Sequence, residues 1–398
     1  MNSIRMTAHL SISSDCSVPG ATTLTENPAE SLLKIRHLTL IHILNGSSVY
    51  NNLKGTPTML TTRRAEIKDI PTIMHFLEEY WLHGYLLAHD QDFFNWQFVH
   101  DDKVNIWIGI DDESGILYGM QALIIYTYDE YPDIAGSIWL AIKSSNPMLS
   151  LDLQDLMWAD IEPRICYSPG LRPDAIRIME KLNYPLSKMD HYYRLADRDK
   201  YHIAVIKHKD IRKVPETGYS LRLMDSFSEL KDIISERYLE SLAPRKNYDY
   251  LKWRYYDHPI FSYDLWAISD SKGKDKGILI TRDEHANNSS SCKIVDFYGA
   301  SDILGLITPA LDRLIEERGY EFIDVYSYGV PTEIYENGGL TRCETSSDNI
   351  ITNFFQPYSA INSDIFMVTP SVEGSRLFRG DGDQDKPRLR PEGTQFIL

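Results

Sequence analysis

The sequence predicts a mixed α/β fold, a mixed sheet with helices on both faces, built twice in tandem. The main observation is an internal repeat, because similar segments follow one another in the same order in two halves of the chain. Three pairs of landmarks lie 157, 159 and 158 residues apart, namely Trp96 and Trp253, Trp107 and Trp266, and Gly119 and Gly277. In addition, short apolar runs alternate with amphipathic helical patterns, which is typical of sheets covered by helices.

Each copy begins with a short strand that runs into a helix, RRAEIKDIPTIMHFLEEYW in the first and YSLRLMDSFSELKDIISERYLE in the second. Three antiparallel strands follow, which are IWIGIDD, YGMQALIIY and GSIWLAI in copy one and DLWAISD, GILITRD and CKIVDFYG in copy two. In copy two the helix DILGLITPALDRLIEERG ends at Gly319, EFIDVYSYG is a buried strand, and VPTEIYENGG is the next helix. HYYRLAD and NFFQPYS match each other, and DIFMVTP is expected as the last strand of copy two.

The pattern divides the chain into five segments. We expect a flexible N-terminal extension at residues 1–60, a first domain at 61–200, a linker at 201–217, a second domain with an acidic tail at 218–388, and a C-terminal end at 389–398. The extension is rich in Ser, Thr and Asn and lacks the apolar core of a signal peptide. Regular pattern begins only after Met59, so translation from that residue is an alternative to a flexible extension.

Composition and charge exclude several classes of function. The 398 residues carry a formal net charge of −16, whereas a nucleic-acid-binding protein needs clustered Lys and Arg, so we expect no DNA partner. No apolar run is long enough for a transmembrane helix. The four cysteines are scattered without a CxxC pair, which indicates reduced thiols in a cytoplasmic protein.

Two patterns resemble metal sites but lack a required residue. GDGDQDKP, residues 380–387, alternates Asp as an EF-hand loop does, but Lys386 stands at the sixth position, where the turn needs Gly. His75, Glu79 and His83 share a helical spacing, but no fourth ligand is indicated. We therefore predict no metal and interpret the first pattern as part of an acidic tail.

The order of elements, with a helix that carries Tyr and then Gly near its end, resembles the GNAT acyltransferase superfamily. The segments RRAEIKDIPTIMHFLEEYW, YLKWRYYDHP, HYYRLAD and GDGDQDKP together resemble tandem-GNAT proteins encoded among surface-polysaccharide genes, over residues 60–388. The resemblance implies two tandem GNAT-like domains and an N-acyltransferase that acts on amino sugars with acyl-CoA as donor. In such a fold the fourth and fifth strands diverge, the thioester lies in the gap, and catalysis is largely positioning.

The resemblance implies two catalytic residues in the second copy. Tyr335, in TEIYENGG, stands where many GNAT enzymes keep the tyrosine that protonates the thiolate, and Met179 at the matching position of copy one favours copy two as the catalytic copy. Asp296, in KIVDFYG, lies on the fourth strand, where a general base or an amine-orienting carboxylate is expected. The structural alternatives are a packed helix tyrosine and a strand carboxylate that faces solvent.

The phosphate loop departs from the family pattern. A GNAT domain usually has a basic residue and spaced glycines before its third helix, where backbone amides hold the pyrophosphate. Copy one has KSSNPMLSLDLQDLM, without glycine, whereas copy two has YGASDILGL, with Gly299 and Gly305. We expect these two glycines to bind the co-substrate, acetyl-CoA or another acyl-CoA, and copy one to offer no such contact.

Six residues are expected to bind the acceptor, namely Trp253, Arg254, Asp257 and His258 in WRYYDHP and Asp383 and Asp385 in the tail. Trp stacks on sugar faces, Arg binds phosphate and His can act as a base. The tail carboxylates, together with Gln384, would hydrogen-bond backbone or an acceptor amine. The alternative for WRYYDHP is a helix end packed on the core by Trp253 and Tyr256.

The sequence therefore predicts a cytoplasmic N-acyltransferase that moves an acyl group, acetyl first of all, from acyl-CoA to an amine, with an amino-sugar nucleotide of surface-glycan synthesis as acceptor. Arg245, Lys246 and Arg254 would contact its diphosphate. One alternative is a Fem-like aminoacyl transferase, although aminoacyl-tRNA is a polyanion that suits a charge of −16 poorly. The other is a non-catalytic GNAT pair that acts as a sugar-binding or scaffold module, which the missing glycines favour.

Overall fold

Two mixed β-sheets, one of seven strands and one of eight, form the framework of the structure. The computed structural model describes residues 60–144, 146–353, 359–370 and 372–386. Residues 1–59 of the expected extension, most of NFFQPYS and the expected C-terminal end at 389–398 lie outside the described residues. We call residues 60–197 the first half and residues 218–386 the second half.

The first half contains nine strands and five helices among its described residues. The strands are β1 (Thr61–Arg64), β2 (Val99–His100), β3 (Lys103–Val104), β4 (Ile106–Asp111), β5 (Ile116–Ile125), β6 (Asp133–Ala141), β7 (Ile165–Pro169), β8 (Leu186–Lys188) and β9 (Asp190–Leu195). The helices are α1 (Ile70–Tyr80), α2 (Leu86–His89), α3 (Gln91–Phe98), α4 (Leu149–Ile161) and α5 (Pro173–Lys181), with a 3₁₀ turn at Ile67–Asp69.

The second half repeats this order with shorter helices. Its strands are β10 (Ser220–Leu223), β11 (Asp264–Ser269), β12 (Asp275–Ala286), β13 (Ser289–Gly299), β14 (Phe322–Tyr328), β15 (Thr341–Cys343), β16 (Phe366–Val368) and β17 (Leu377–Phe378). Its helices are α6 (Leu230–Ile233), α7 (Glu236–Glu240), α8 (Tyr248–Leu251), α9 (Ile303–Leu306), α10 (Thr308–Arg318) and α11 (Thr332–Asn337). A π-helical turn at Lys252–Tyr256 and 3₁₀ turns at Phe227–Glu229 and Asp381–Asp383 complete it.

The two sheets share one topology, and each contains one strand that comes from the other half of the chain. Their orders are β1-β4-β5-β6-β7-β16-β8 and β10-β11-β12-β13-β14-β9-β15, with β17 paired to β14. In each sheet four antiparallel strands precede one parallel pair, β6/β7 or β13/β14. Strand β9 of the first half pairs with β14 and β15, and β16 of the second half pairs with β7 and β8. The sequence places DIFMVTP, which contains β16, in copy two, but this strand completes the first sheet. The prediction is wrong because apolar alternation identifies a strand but not its partner.

The internal repeat extends to the register of the strands, which confirms the predicted mixed α/β fold with two like domains. The β4–β5 register shifts at Gly109/Ile110, and the β11–β12 register shifts at Ile268/Ser269. A second shift occurs at Ala122/Leu123 in β5 and at Ile280/Thr281 in β12. Because the two halves share both bulges, their backbones have equivalent geometry where the fourth and fifth strands of each sheet diverge. These strands are β6 and β7 in the first sheet and β13 and β14 in the second.

Two tryptophans related by the repeat meet where the halves pack together. The rings of Trp96 and Trp253 stack with centroids 4.7 Å apart, and Nε1 of Trp253 donates to the carbonyl oxygen of Trp96 at 3.0 Å. The surrounding apolar cluster takes residues from both halves. Contact between equivalent residues is what an approximate twofold arrangement of two repeats produces.

A double-mutant cycle tests this junction. Trp96→Leu and Trp253→Leu should each destabilise the protein, and their combination should cost about 0.5–1.5 kcal/mol less than the sum, because both remove the same stacked pair. The measurement is urea unfolding followed by far-ultraviolet circular dichroism. As the control, Trp253→Leu combined with Trp266→Leu, in another cluster, should be additive within about 0.5 kcal/mol. Additivity in both cycles would show that the stack contributes nothing.

Candidate active site

A cavity opens in the first sheet where β6 and β7 diverge. These strands pair over only three residues each, Asp133–Ala135 with Ile165–Tyr167, while β6 continues to Ala141. The resulting first-sheet cavity has a volume of about 300 Å³. Its walls combine apolar and small polar side chains, which include Trp81, Trp139, Leu140, Cys166, Leu171, Ala175, Ile178 and Met179 and, among the polar ones, Gln121, Ser137 and Ser168.

The narrow end of this cavity carries a β-bulge. In the register of β6 against β5 the pairing passes from Gly136 to Ile138 and leaves Ser137 as the extra residue. Bulges redirect side chains and are common beside active sites. The hydroxyl of Ser137 donates a hydrogen bond to Oδ2 of Asp383, in the C-terminal tail, at 2.7 Å.

The equivalent gap in the second sheet is filled by the chain itself. Strands β13 and β14 also pair over three residues each, Cys292–Ile294 with Ile323–Val325, but β17 then pairs with the end of β14. The N–H of Gly380 donates to the carbonyl oxygen of Val295 at 2.7 Å. Val295 is the extra residue of the second bulge and corresponds to Ser137. The C-terminal segment therefore occupies the position that remains open in the first sheet.

Beyond β17 the tail reaches the first sheet and presents Asp383 to the narrow end of its cavity. Oδ2 of Asp383 accepts hydrogen bonds from Gln97 Nε2 at 2.6 Å, Ser137 Oγ at 2.7 Å and Lys386 Nζ at 2.8 Å. Asp383 has a φ of 57°, a left-handed conformation that Asp adopts more readily than most residues. Gly382 packs closely enough that a Cβ there would lie 2.5 Å from the Pro169 ring. The carboxylate is therefore held in one position.

A larger cavity of about 890 Å³ lies between the two halves. We call it the inter-half cavity; residues of α3 and of the segment after β5 form one wall, and residues of α7 and α8 form the other. Gln97 lines this cavity and Ser137 lines the first-sheet cavity. Both side chains donate to Oδ2 of Asp383, so this carboxylate is linked by one hydrogen bond to the wall of each cavity, while Asp383 itself lines neither.

Tyr335 contacts neither cavity. Its side chain is 1% exposed, its ring stacks on Tyr192 at 4.7 Å, and its hydroxyl shares a hydrogen bond of 2.9 Å with Ser327. Burial raises the pKa of Tyr335 above its ordinary value. This geometry is that of the packed helix tyrosine, and it gives no support to a role as the acid that protonates a thiolate.

Asp296 is neither exposed to solvent nor open to a substrate. Its Oδ2 accepts hydrogen bonds from Lys246 Nζ at 2.9 Å, Tyr255 Oη at 2.7 Å and Tyr298 Oη at 2.5 Å, and its Oδ1 accepts from the N–H of Phe297 at 2.9 Å. The residue is fully buried. Both oxygens of this carboxylate are occupied by donors, which is the geometry of a structural network and gives no support to a role as general base.

The two glycines expected to hold a pyrophosphate serve packing. At Gly305 a Cβ would lie 2.3 Å from the carbonyl oxygen of Ile334, so this glycine allows α9 to approach α11 closely. The N–H of Gly299 donates to the Tyr238 hydroxyl at 3.0 Å, and its carbonyl oxygen accepts from Arg376 at 2.9 Å. Neither glycine presents a free N–H group to an open cavity.

Of the four residues expected from WRYYDHP, Trp253, Arg254 and His258 line one cavity together with Asp383 and Asp385, and Asp257 does not. This cavity has a volume of about 10 Å³ and holds no more than about one water molecule. Trp253 lines the inter-half cavity, whereas Arg254 is 3% exposed and pairs with Asp385 in the tail. His258 accepts two backbone N–H groups at Nδ1, and burial lowers its pKa to about 2, so it remains neutral. Asp257 forms an exposed ion pair with Lys252. Of the four, only Trp253 is therefore positioned to touch a ligand in the inter-half cavity.

The basic residues expected to contact a diphosphate are already paired. Lys246 Nζ lies 2.9 Å from Oδ2 of Asp296 and 2.9 Å from Oδ1 of Asp381. Burial alone would lower the pKa of Lys246, but these two carboxylates raise it above its ordinary value. Arg245 pairs with Asp129 at 3.4 Å. Arg245, Lys246 and Arg254 thus offer no unpaired positive charge.

Sequence reasoning missed Ser137, Gln97 and the first-sheet cavity. One sequence signal could have identified Ser137, because the repeat offset of 158 residues aligns this polar residue with the apolar Val295. The cavity itself depends on which gap the tail fills, and no local pattern records that. Among the described residues, no three His, Cys, Asp or Glu side chains form a group that could hold a metal ion. In the same part of the chain, no helix has both the length and the apolar character needed to cross a membrane.

Comparison with known proteins gives only distant likenesses. No family model and no curated protein matches the chain. A GCN5-related N-acetyltransferase from Anabaena variabilis ATCC 29413 is 13% identical, with 78% of this chain and 72% of that chain covered and a TM-score of 0.48. A probable N-acyltransferase from Enterococcus faecalis V583 is 10% identical, with coverage of 78% and 72% and a TM-score of 0.48. Saccharomyces cerevisiae N-myristoyltransferase with bound myristoyl-CoA is 10% identical, with coverage of 82% and 86% and a TM-score of 0.44. Likenesses at this level leave the reaction and the substrate open.

The anchor of the tail can be tested by removing one charge. Arg254→Met should lower the free energy of unfolding by about 3–5 kcal/mol, because it leaves the buried carboxylate of Asp385 without a counter-charge. Lys252→Met removes only the exposed ion pair with Asp257 and should cost less than about 1 kcal/mol. Urea unfolding of both variants gives the comparison. Equal effects would mean that the buried pair does not anchor the tail.

Proposed function

We propose that the protein is an N-acyltransferase whose first-sheet cavity holds an acyl thioester. The observation that carries this proposal is the asymmetry of two equivalent gaps. Among the described residues, no strand fills the gap in the first sheet, where Asp383 accepts a hydrogen bond from Ser137 in the cavity wall, whereas β17 fills the gap in the second sheet. In the GNAT proteins that the sequence resembles, the thioester lies in this gap. The proposal therefore transfers the catalytic role from the second copy to the first.

The chemistry follows from the residues at the narrow end. In this mechanism the acyl chain lies among the apolar walls, and the thioester carbonyl lies beside the bulge at Ser137. Within the described residues, no strand pairs with β6 across the gap beyond Ala135, and a backbone N–H group of β6 that faces the gap would polarise the carbonyl. The amine attacks the carbonyl carbon, the C–N bond forms and the C–S bond breaks. Asp383 accepts the proton that nitrogen loses and then gives it to the departing thiolate, so that an amide and a thiol leave and the carboxylate is restored.

The loop between β6 and α4 bears on the carrier of the thioester. The N–H groups of Asn146 and Met148 are taken up by the side chains of Ser144 and Asn146, at 3.1 and 2.9 Å. Asp152 adds negative charge in the first turn of α4. These residues do not fit a pyrophosphate, which needs free N–H groups and a positive field. We therefore propose that the cavity binds the acyl-pantetheine part of the donor. No step of the mechanism relies on a contact with the diphosphate of the donor.

The acceptor and the setting are carried over from the resemblance. Tandem-GNAT proteins of surface-polysaccharide clusters imply an amino sugar as acceptor and glycan synthesis as the context. Cytoplasmic action is consistent with the free thiols of Cys292 and Cys343. The charge of −16 still disfavours a Fem-like transfer from aminoacyl-tRNA. Filling of the second gap favours a non-catalytic role for the second half, which confines the scaffold alternative to that half.

The donor site is tested by filling it. Ala175→Trp, on α5, should weaken binding of acetyl-CoA and of acetyl-pantetheine by at least about tenfold, because the indole occupies the cavity. Thr332→Trp, at the start of α11 in the second half, is the matched control and should leave both affinities unchanged. Isothermal titration calorimetry measures both ligands on both variants and on the wild type.

Two outcomes would contradict the donor proposal. A loss of binding in Thr332→Trp but not in Ala175→Trp would return the donor to the second half. We also expect acetyl-pantetheine to bind within about tenfold of acetyl-CoA, because the loop before α4 gives the diphosphate little support. A much tighter binding of acetyl-CoA would show that the diphosphate is recognised elsewhere.

The catalytic carboxylate is tested against the sequence-based tyrosine. Asp383→Asn should lower kcat by about 10²- to 10⁴-fold with little change in KM, because the amide cannot accept the proton. Tyr335→Phe should change kcat by less than about twofold and cost about 1 kcal/mol of stability through the lost bond to Ser327. Steady-state kinetics with an acyl thioester and unfolding curves provide both readouts. The reverse pattern, with a tyrosine-dependent kcat, would restore the second-copy mechanism.

A further inference from the structure

The inter-half cavity is rich in carboxylates that have no counter-charge. Glu236 and Glu240 lie one turn apart on α7, Asp249 lies in the first turn of α8, and all three line the cavity. None of them forms an ion pair with another described residue. The two cations of the lining, Arg245 and Lys246, are neutralised by carboxylates of their own. The cavity therefore favours a positively charged ligand and disfavours an anionic one.

Two buried hydroxyl groups give an independent sign of a ligand. Tyr126 and Tyr250 line the cavity and are 2% and 4% exposed, and within the described part of the chain neither hydroxyl has a hydrogen-bond partner. Buried polar groups are nearly always hydrogen-bonded, so a ligand with hydroxyl or amino groups would satisfy both. Trp96, Tyr128 and Trp253 add aromatic surface to the walls, which suits the apolar faces of a sugar ring.

The cavity leads to the proposed site of acyl transfer. Gln97 in its wall donates to Oδ2 of Asp383 at 2.6 Å, and the same oxygen accepts from Ser137 of the first-sheet cavity at 2.7 Å. Under the proposed function, the amine would approach Asp383 past Gln97 and the thioester would approach it past Ser137. This arrangement assigns the donor and the acceptor to different cavities.

We propose that the inter-half cavity binds the acceptor as a saccharide that carries a free ammonium group and no phosphate. Ammonium would form charge-assisted hydrogen bonds with Glu236, Glu240 and Asp249, and sugar hydroxyls would pair with Tyr126 and Tyr250. A diphosphate would instead face three carboxylates without an unpaired cation. The inference replaces the amino-sugar nucleotide expected from the sequence, and its catalytic meaning rests on the proposed function.

Three saccharides test the charge class directly. The probes are the β-1,4-linked disaccharide of glucosamine, the corresponding disaccharide of N-acetylglucosamine, and UDP-glucosamine, each titrated into the full chain without thioester. Tryptophan fluorescence is the readout, because Trp96 and Trp253 line the cavity. The glucosamine disaccharide should bind at least about tenfold more tightly than the neutral disaccharide and than UDP-glucosamine, and its affinity should fall with added salt. Absence of this preference, or of any binding, would overturn the proposal.

Matched variants test whether the carboxylates of the inter-half cavity cause the preference for the glucosamine disaccharide. Glu236→Gln combined with Glu240→Gln should remove most of the tenfold preference, and both side chains are exposed, so the fold should be retained. Glu316→Gln combined with Glu317→Gln removes the same charge from exposed positions on α10 and should leave binding unchanged. An equal effect of the two double variants would overturn the proposal, since the preference would then reflect overall charge.

The unpaired hydroxyl of Tyr250 allows a test that distinguishes ligand binding from a purely structural role. Tyr250→Phe should weaken binding of the glucosamine disaccharide by about 3- to 10-fold without lowering the melting temperature of the free protein, because the hydroxyl has no described partner to lose. Unchanged affinity would contradict the inference. Selective binding without acyl transfer would refute the proposed function alone, whereas transfer from a thioester without selective binding would refute this inference alone.

Discussion

Buried ion pairs that hold the C-terminal tail determine which gap is open and which is closed. Lys246 lies between Asp296 and Asp381, and Arg254 pairs with Asp385, all of them buried. Apolar contacts alone would allow a short strand to slip in register, whereas a shifted tail would leave buried charges unpaired at a cost of several kcal/mol. The tail is therefore fixed along its length. Its first part closes the second sheet, and its later part supplies a carboxylate to the first.

Duplication and the path of the tail together explain why two equivalent halves differ at their gaps. Both halves have the same strand order, the same bulges and the same three-residue parallel pairing. One tail can fill only one of the two gaps. In the second sheet the N–H of Gly380 satisfies the carbonyl of Val295, whereas in the first sheet the corresponding Ser137 donates to Asp383. The asymmetry thus arises from connectivity rather than from loss of a motif.

The sequence predicts the repeated fold well because a repeat and its periodicity are local properties. The spacing of Trp96 and Trp253 identifies equivalent positions, and the structure brings these two side chains into contact. The sequence predicts the site poorly, because charge state and burial are properties of the packed chain. Asp296 reads as a catalytic carboxylate until Lys246 and two tyrosine hydroxyls surround it. From the sequence, the tail carboxylates are expected to bind backbone or an acceptor amine, whereas in the structure Asp383 accepts from Gln97, Ser137 and Lys386, and Asp385 pairs with Arg254.

Recognition of an ammonium group and its use as a nucleophile make opposite demands on charge. Glu236 and Glu240 would stabilise the protonated amine and raise its pKa, which favours binding but opposes attack on a thioester. Near Asp383 the surroundings differ, because Lys386 donates to the same carboxylate at 2.8 Å and a neighbouring cation favours the neutral amine. Burial alone would lower the pKa of Lys386, but Asp383 raises it, so Lys386 keeps its charge at neutral pH. An amine that moves from the acidic wall towards Asp383 therefore passes from a site that binds its charged form to one that favours loss of the ammonium proton to solvent. The neutral amine can then attack, and Asp383 accepts the second proton, which nitrogen loses on attack.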